Sequence, residues 1–295
     1  MSDNKQFSLI CIYLKISTLY ESDLKYICER FSNNNKPKFT DIEAITIYLF
    51  AMKEQQCFEI KNIYKFTKDY LFSWFPDLPS YEAFSTRLNN LNSIFIRLSQ
   101  ILVDSNIPED CDFSNSLLDS MPIITCSGKR KAKVATEITD KSFCSTKNLW
   151  YYGVKLHALA FFRPKTIPYP ESIVITPASE NDLNVFKQNW SGIINRTFWG
   201  DKIYIDESFF QSLFQNNNSI MYTPVKEPKG KSEVLKKIDK AYNDLFSRAV
   251  SKVRQPIESF FNWLIQKTDI QKASKVRSTK GLLVHIFGRI AAAFI

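Results

Sequence analysis

Three carboxylates stand apart from the other acidic side chains of this sequence by the company they keep. Asp119 closes the apolar run "SLLD", Asp201 follows the aromatic run in "RTFWGDKIY", and Glu258 lies in "RQPIESFFNWLIQK" among Ile257, Phe260, Phe261, Trp263, Leu264 and Ile265. A carboxylate at a strand end or on a packed helix is held rigidly, and rigid hard oxygens are what a divalent-cation site requires. Each also has an ordinary reading. Asp119 precedes Ser-Met-Pro and suits the start of a turn. Gly200-Asp201 suits a two-residue hairpin turn. Glu258 suits the first turn of a helix opened by Pro256, where it complements the helix dipole and reaches Arg254 one turn earlier. Taken singly, each ordinary reading suffices.

The elements that must position these groups change character along the chain. Residues 1–112 read as helical. Thr40 is an N-cap with Glu43 as its capping-box partner, apolar residues recur from Ile42 to Met52, and further helical patterns cover 58–72 and 81–104, with Ser80 as a cap. Helix, turn, helix is the outline of a DNA-reading helix-turn-helix module and equally of any small bundle. After "NIPEDCDFSNSLLDSMPI" the pattern shifts to short apolar runs. Strands are expected at 115–118, 149–162, 172–176, 197–204 and 219–225, with helices at 182–190, 207–215, 233–246 and 256–267. The fold class is therefore α/β, a sheet flanked by helices in 113–295 and preceded by an all-helical domain in 1–112.

The charge follows the same division. Residues 1–112 carry 12 Lys and Arg against 15 Asp and Glu, while 113–295 carry 27 against 15, a net of +12 that would draw a polyanion to the second part. The six cysteines include no CxxC pair and only two histidines accompany them, which excludes a zinc-type centre and suggests free cytosolic thiols. Asp3 and Lys15 bracket the apolar run at 7–14, so no signal peptide is expected, and no run approaches the length of a membrane span. A cytoplasmic protein is expected.

Five words in order, "LLDSMPI", "YYGVKLHALA", "VITPASENDLNVF", "WGDKIYID" and "VRQPIESFFNWL", resemble the catalytic domain of bacterial insertion-sequence transposases of the DDE class. The resemblance spans about 113–295. It implies an RNase H-like mixed sheet, with Asp119, Asp201 and Glu258 as the catalytic, metal-holding carboxylates and Arg254 as the arginine of an "R-x-x-x-E" helix. It implies Mg²⁺, or Mn²⁺ in its place, as two ions, and hydrolysis followed by strand transfer on DNA. The partners it implies are double-stranded DNA, as terminal inverted repeats and as target, and a second copy of the chain on that DNA, in the nucleoid when bound. Phosphate contacts are expected from Lys129, Arg130, Lys131 and Lys133 of "GKRKAK", and from Lys155, Lys202, Arg254 and Lys267. Lys226, Lys229, Lys231, Lys236 and Lys237 form a second basic stretch. Lys155 and His157 alternate on one strand face, which the resemblance sets beside the site. The sequence departs from the family pattern at Ile203, Ser251 and Ile265, the last where a basic residue is usual. Two other readings stay open: a relative of the same fold that binds DNA without cutting it, and a helical, basic protein that binds RNA or other proteins without catalysis.

Overall fold

The computed structural model describes residues 2–28, 37–129, 131–145, 147–225 and 233–295, with the side chains of 233–242 excepted. The chain divides into two compact units, each assembled from separated stretches. One comprises 1–106, 124–138 and 264–295; the other comprises 107–123 and 139–263.

The first unit is built round a helix that is apolar on every side. Helices α1 (Asp3–Ser22), α2 (Asp41–Gln55), α3 (Ile60–Tyr70), α4 (Tyr81–Asn90) and α5 (Asn92–Ser105) occur in order, with α2 at the centre. From Ala44 to Met52 every residue of α2 is buried, as expected of a helix hydrophobic all round. The expected capping box is present: Glu43 N–H donates to Thr40 Oγ1 and Thr40 N–H to Glu43 Oε2. Ser80 caps α4, and the pattern at 81–104 is two helices broken at Leu91. The same core takes in the C-terminal helices, whose Val284, Ala291 and Ala292 pack with residues of α1 to α5.

The second unit holds the sheet. Among the described residues its strands are β1 (Asp112–Ser127), β2 (Asp140–Cys144), β3 (Leu149–Phe162), β4 (Tyr169–Pro177), β5 (Thr197–Trp199) and β6 (Ile220–Tyr222). They run in the order β2-β3-β1-β5-β6, and β4 also pairs with β3, so that 149–153 of β3 face β2 and 154–161 face β4. The β2 and β4 pairings are antiparallel, whereas β1, β5 and β6 are parallel, which makes the sheet mixed. Helices α6 (Asp182–Asn189) and α7 (Glu207–Asn217) cover it, burying Phe186, Trp190 and Leu213 against Leu118, Leu159, Phe198 and Met221. Helices α8 (Glu233–Arg254) and α9 (Pro256–Thr268) follow. This is the RNase H-like α/β architecture expected above, preceded by helices.

Three expectations need correction. Asp119 does not end its strand, since β1 runs on to Ser127 with alternate residues buried beyond Met121. Gly200-Asp201 is not a hairpin turn, because β5 and β6 are parallel and α7 lies between them in the chain. Glu258 is not enclosed by apolar residues: its side chain is 53% exposed, and Ile257, Phe260, Phe261 and Leu264 form the buried stripe on another face of α9.

Candidate active site

Parallel pairing brings the two aspartates together. Leu117 of β1 is in register with Trp199 of β5, and Asp119 and Asp201 each lie two residues further on. Both therefore emerge past the last paired position, where period-2 alternation starts them on the same side. The carboxyl ends of parallel strands are the usual site position in such sheets. Asp201 then caps a short 3₁₀ turn, its Oδ1 accepting from Lys202 N–H at 2.6 Å. The turn is tight enough to need Gly200, since a Cβ there would stand 2.8 Å from the ring of buried Tyr204.

Glu258 arrives from the first turn of α9, opened by Pro256 as expected. Arg254, the last residue of α8, joins it to β1. One guanidinium nitrogen donates to Asp119 Oδ2 at 2.8 Å and another to Glu258 Oε1 at 2.8 Å. The fork of a guanidinium is rigid, so the two carboxylates lie within about 8 Å of each other. Burial disfavours the Arg254 charge, but Asp119, Asp201 and Glu258 outweigh it and raise its pKa. Burial pushes the Asp119 carboxyl up to about 6; Arg254 and the Ser120 N–H pull it down, and the charges of Asp201 and Glu258 push it up. Asp119 and Glu258, distant in sequence, thus share one cation, and Asp201 is near enough for its charge to act on it.

A second polar cluster backs Asp119, and sequence reasoning missed most of it. Ser120 donates its N–H to Asp119 Oδ1 and its hydroxyl to Asp182 Oδ2 at 3.0 Å. Asp182, buried at the start of α6, also accepts from Lys155 Nζ at 3.0 Å and faces His157 Nδ1 at 3.6 Å. Lys155 and His157 do share a face, as expected, yet Lys155 is tied to Asp182 and the Glu180 carbonyl. His157 is fully buried against Thr176 Oγ1, and burial lowers its pKa to about 4. Tyr204 lies close enough to feel Asp182, Asp119 and Asp201, and burial first, then those charges, raise its pKa well above the usual value. Its hydroxyl has no hydrogen-bond partner among the described residues. The signal for Asp182 was present in "SENDLNVF", where Asn181 caps α6 and leaves the next residue at its first position.

The remaining expected contacts are divided between the two units. Lys202 is exposed beside Asp201. Lys129, Lys131 and Lys133 are exposed and belong, with exposed Lys267, to the first unit. Arg130, Lys226, Lys229 and Lys231 lie outside the described residues, as do the side chains of Lys236 and Lys237.

Hard carboxylate oxygens are the donor type that Mg²⁺ or Mn²⁺ takes. Among the described residues, however, no group of three His, Cys, Asp or Glu side chains is disposed to hold an ion. The three carboxylates fit such an ion in donor chemistry, and the Arg254 guanidinium satisfies two of them.

A mixed sheet flanked by helices, with Asp119 and Asp201 just past the last paired residues of β1 and β5, is an RNase H-like architecture. The family model of the transposase DDE domain matches residues 113–295, more than half of the chain, and the protein belongs to that family of mobile-element transposases. Comparison with curated proteins and with solved structures gave no match. No disulfide joins the cysteines among the described residues, and no helix among them is long and apolar enough to cross a membrane.

Proposed function

We propose that the protein cuts DNA at the ends of an insertion sequence and joins the freed strand to target DNA. The observation that supports this most is the bridging of Asp119 and Glu258 by Arg254, with Asp201 near enough for its charge to raise the Arg254 pKa. In this reading the three carboxylates hold Mg²⁺ or Mn²⁺. Two such ions, when bound, would activate the attacking oxygen and stabilise the leaving one. Arg254 fills the place of a cation in the free protein and turns to a DNA phosphate when substrate arrives, releasing the carboxylates. Asp182, through Ser120, keeps β1 oriented so that Asp119 faces the same point. Residues 113–295 form the catalytic region, and 1–112 serve in recognition of the DNA ends. Lys129, Arg130, Lys131, Lys133, Lys202 and Lys267 meet phosphates, and two copies of the chain bring two ends together at the nucleoid.

The test uses labelled duplexes carrying the inverted repeats that flank the coding sequence, incubated with Mg²⁺ or with EDTA. Metal-dependent nicking at the repeat ends is expected, reduced about a hundredfold or more in Asp119→Asn and Glu258→Gln, as when one preorganised polar group is removed from a site. Absence of binding to those ends would sink the proposal. Binding without nicking would select a second reading, a relative that holds DNA without cutting it. Ile265, standing where a basic residue is usual, favours that reading.

A further inference from the structure

A cleft of about 460 Å³ opens beside Glu258. Much of its lining is one face of α8, on which Ser247, Arg248, Ser251 and Lys252 recur at three- and four-residue spacing, and Lys202 lines it as well. The paired serines are small and leave the space between the longer side chains open. The cations among the lining groups are Lys202, Arg248, Lys252 and Arg254, against the carboxylates Asp244 and Glu258. Arg254 is engaged with Asp119 and Glu258. Arg248 is 82% exposed and lies 3.8 Å from Asp244, the kind of surface pair that contributes little. Lys202 and Lys252 are exposed and make no ion pair among the described residues.

We infer that this cleft is a phosphate track for one DNA strand, running from the carboxylates along the last turns of α8. The inference rests on the reading of the protein as a DNA transposase. Continuity with Glu258 and Arg254 places the strand at the reacting phosphate, and the positive lining matches a polyanion. The volume is that of a small-ligand pocket, enough for a single backbone and too small for a duplex. Lys202, Arg248 and Lys252 would each meet a phosphate and carry no base preference. Arg248 and Lys252 escape notice in the sequence because they are lone letters four apart, joined into one surface only by the helix.

The test measures binding of the full chain, made non-cutting by Asp119→Asn, to a fluorescent inverted-repeat duplex across a range of salt concentrations. The duplex is blunt or carries a single-stranded extension at its cleavage end. Adding Arg248→Gln and Lys252→Gln should weaken binding about tenfold and make the salt slope shallower by about 2, roughly one unit for each lost phosphate contact. The extended duplex should lose more than the blunt one. A control pair, Lys165→Gln with Lys275→Gln, removes the same charge from exposed positions elsewhere and should change the slope less. The thermal midpoint should stay at the parent value, since the α8 side chains replaced are exposed. Should the parent bind and the α8 pair leave affinity and slope unchanged, or match the control, the track is overturned while the transposase reading stands. A parent that binds neither duplex overturns both.

Discussion

Arg254 and Arg289 are both drawn into the protein, and their partners are of opposite kinds. Arg289, 4% exposed in the C-terminal helices of the first unit, donates to the backbone carbonyls of Thr268 and Phe58 and lies over the Phe58 ring. Burial lowers its pKa, with Tyr48, Asp269 and Glu59 opposing. Arg254, in the second unit, faces carboxylates, and their charges raise its pKa despite burial. Carbonyls of the backbone have nowhere else to turn, so Arg289 ties chain segments together permanently. Carboxylates that accept a guanidinium will also accept another cation, so the Arg254 contacts can be exchanged. On the function proposed above, one arginine is a fastening and the other is a placeholder.

The largest effect expected from this contrast is on Arg289. Replacing it with Met keeps the volume but strands a buried carbonyl at Thr268 and a half-buried one at Phe58, each costing about 1 to 3 kcal/mol, so Arg289→Met should lose about 3 to 5 kcal/mol in denaturant unfolding. If the loss were no larger than that of Arg254→Met, the distinction between the two would fail.

A smaller effect is expected where a glycine meets a tyrosine ring. A Cβ on Gly200 would stand 2.8 Å from Tyr204, and one on Gly288 would stand 2.7 Å from Tyr48. Overpacking of this kind costs about 1 to 3 kcal/mol. Gly200→Ala and Gly288→Ala should each lower stability by that amount, read from unfolding midpoints. Only Gly200→Ala should also impair nicking of repeat-end duplexes when compared at a temperature where both variants are folded, because Gly200 sets the turn that carries Asp201.

The two regions also differ in how far their sequence announces them. The capping box of Thr40 and Glu43 and the run through β3 are local patterns, and the structure has both where periodicity put them. The words around Asp119, Asp201 and Glu258 single them out, but no local pattern tells how such distant segments approach. Pairing of Leu117 with Trp199 and the bridge through Arg254 are contacts between distant segments. The apolar neighbours of Glu258 misled for a related reason. Residues adjacent in sequence point to different faces of a helix, so Ile257 and Phe260 are buried while Glu258 is open. Arg289 gave no signal at all, because carbonyl partners leave no mark in the side-chain sequence.

The smallest stability effect is expected for Arg254, and pH separates it from a packing effect. The Asp119 carboxyl lies at about 6 in the folded protein, raised from 3.8 by burial first and with Arg254 pulling against the rise. A carboxyl raised on folding leaves stability intact below its unfolded value and withdraws it as pH climbs through the folded value. Removing Arg254 moves the folded value higher still, so the withdrawal continues to higher pH. Arg254→Met should therefore match the parent within about 0.5 kcal/mol at pH 5, where Asp119 is largely protonated in both folded proteins, and fall below it by about 1 kcal/mol at pH 8. Divalent cation should reverse the pH 8 deficit if the carboxylates accept an ion in place of the guanidinium, and Mn²⁺ titration of the thermal midpoint reads this directly. A deficit of equal size at both pH values, indifferent to Mn²⁺, would mean that Arg254 acts through packing and is a second fastening like Arg289.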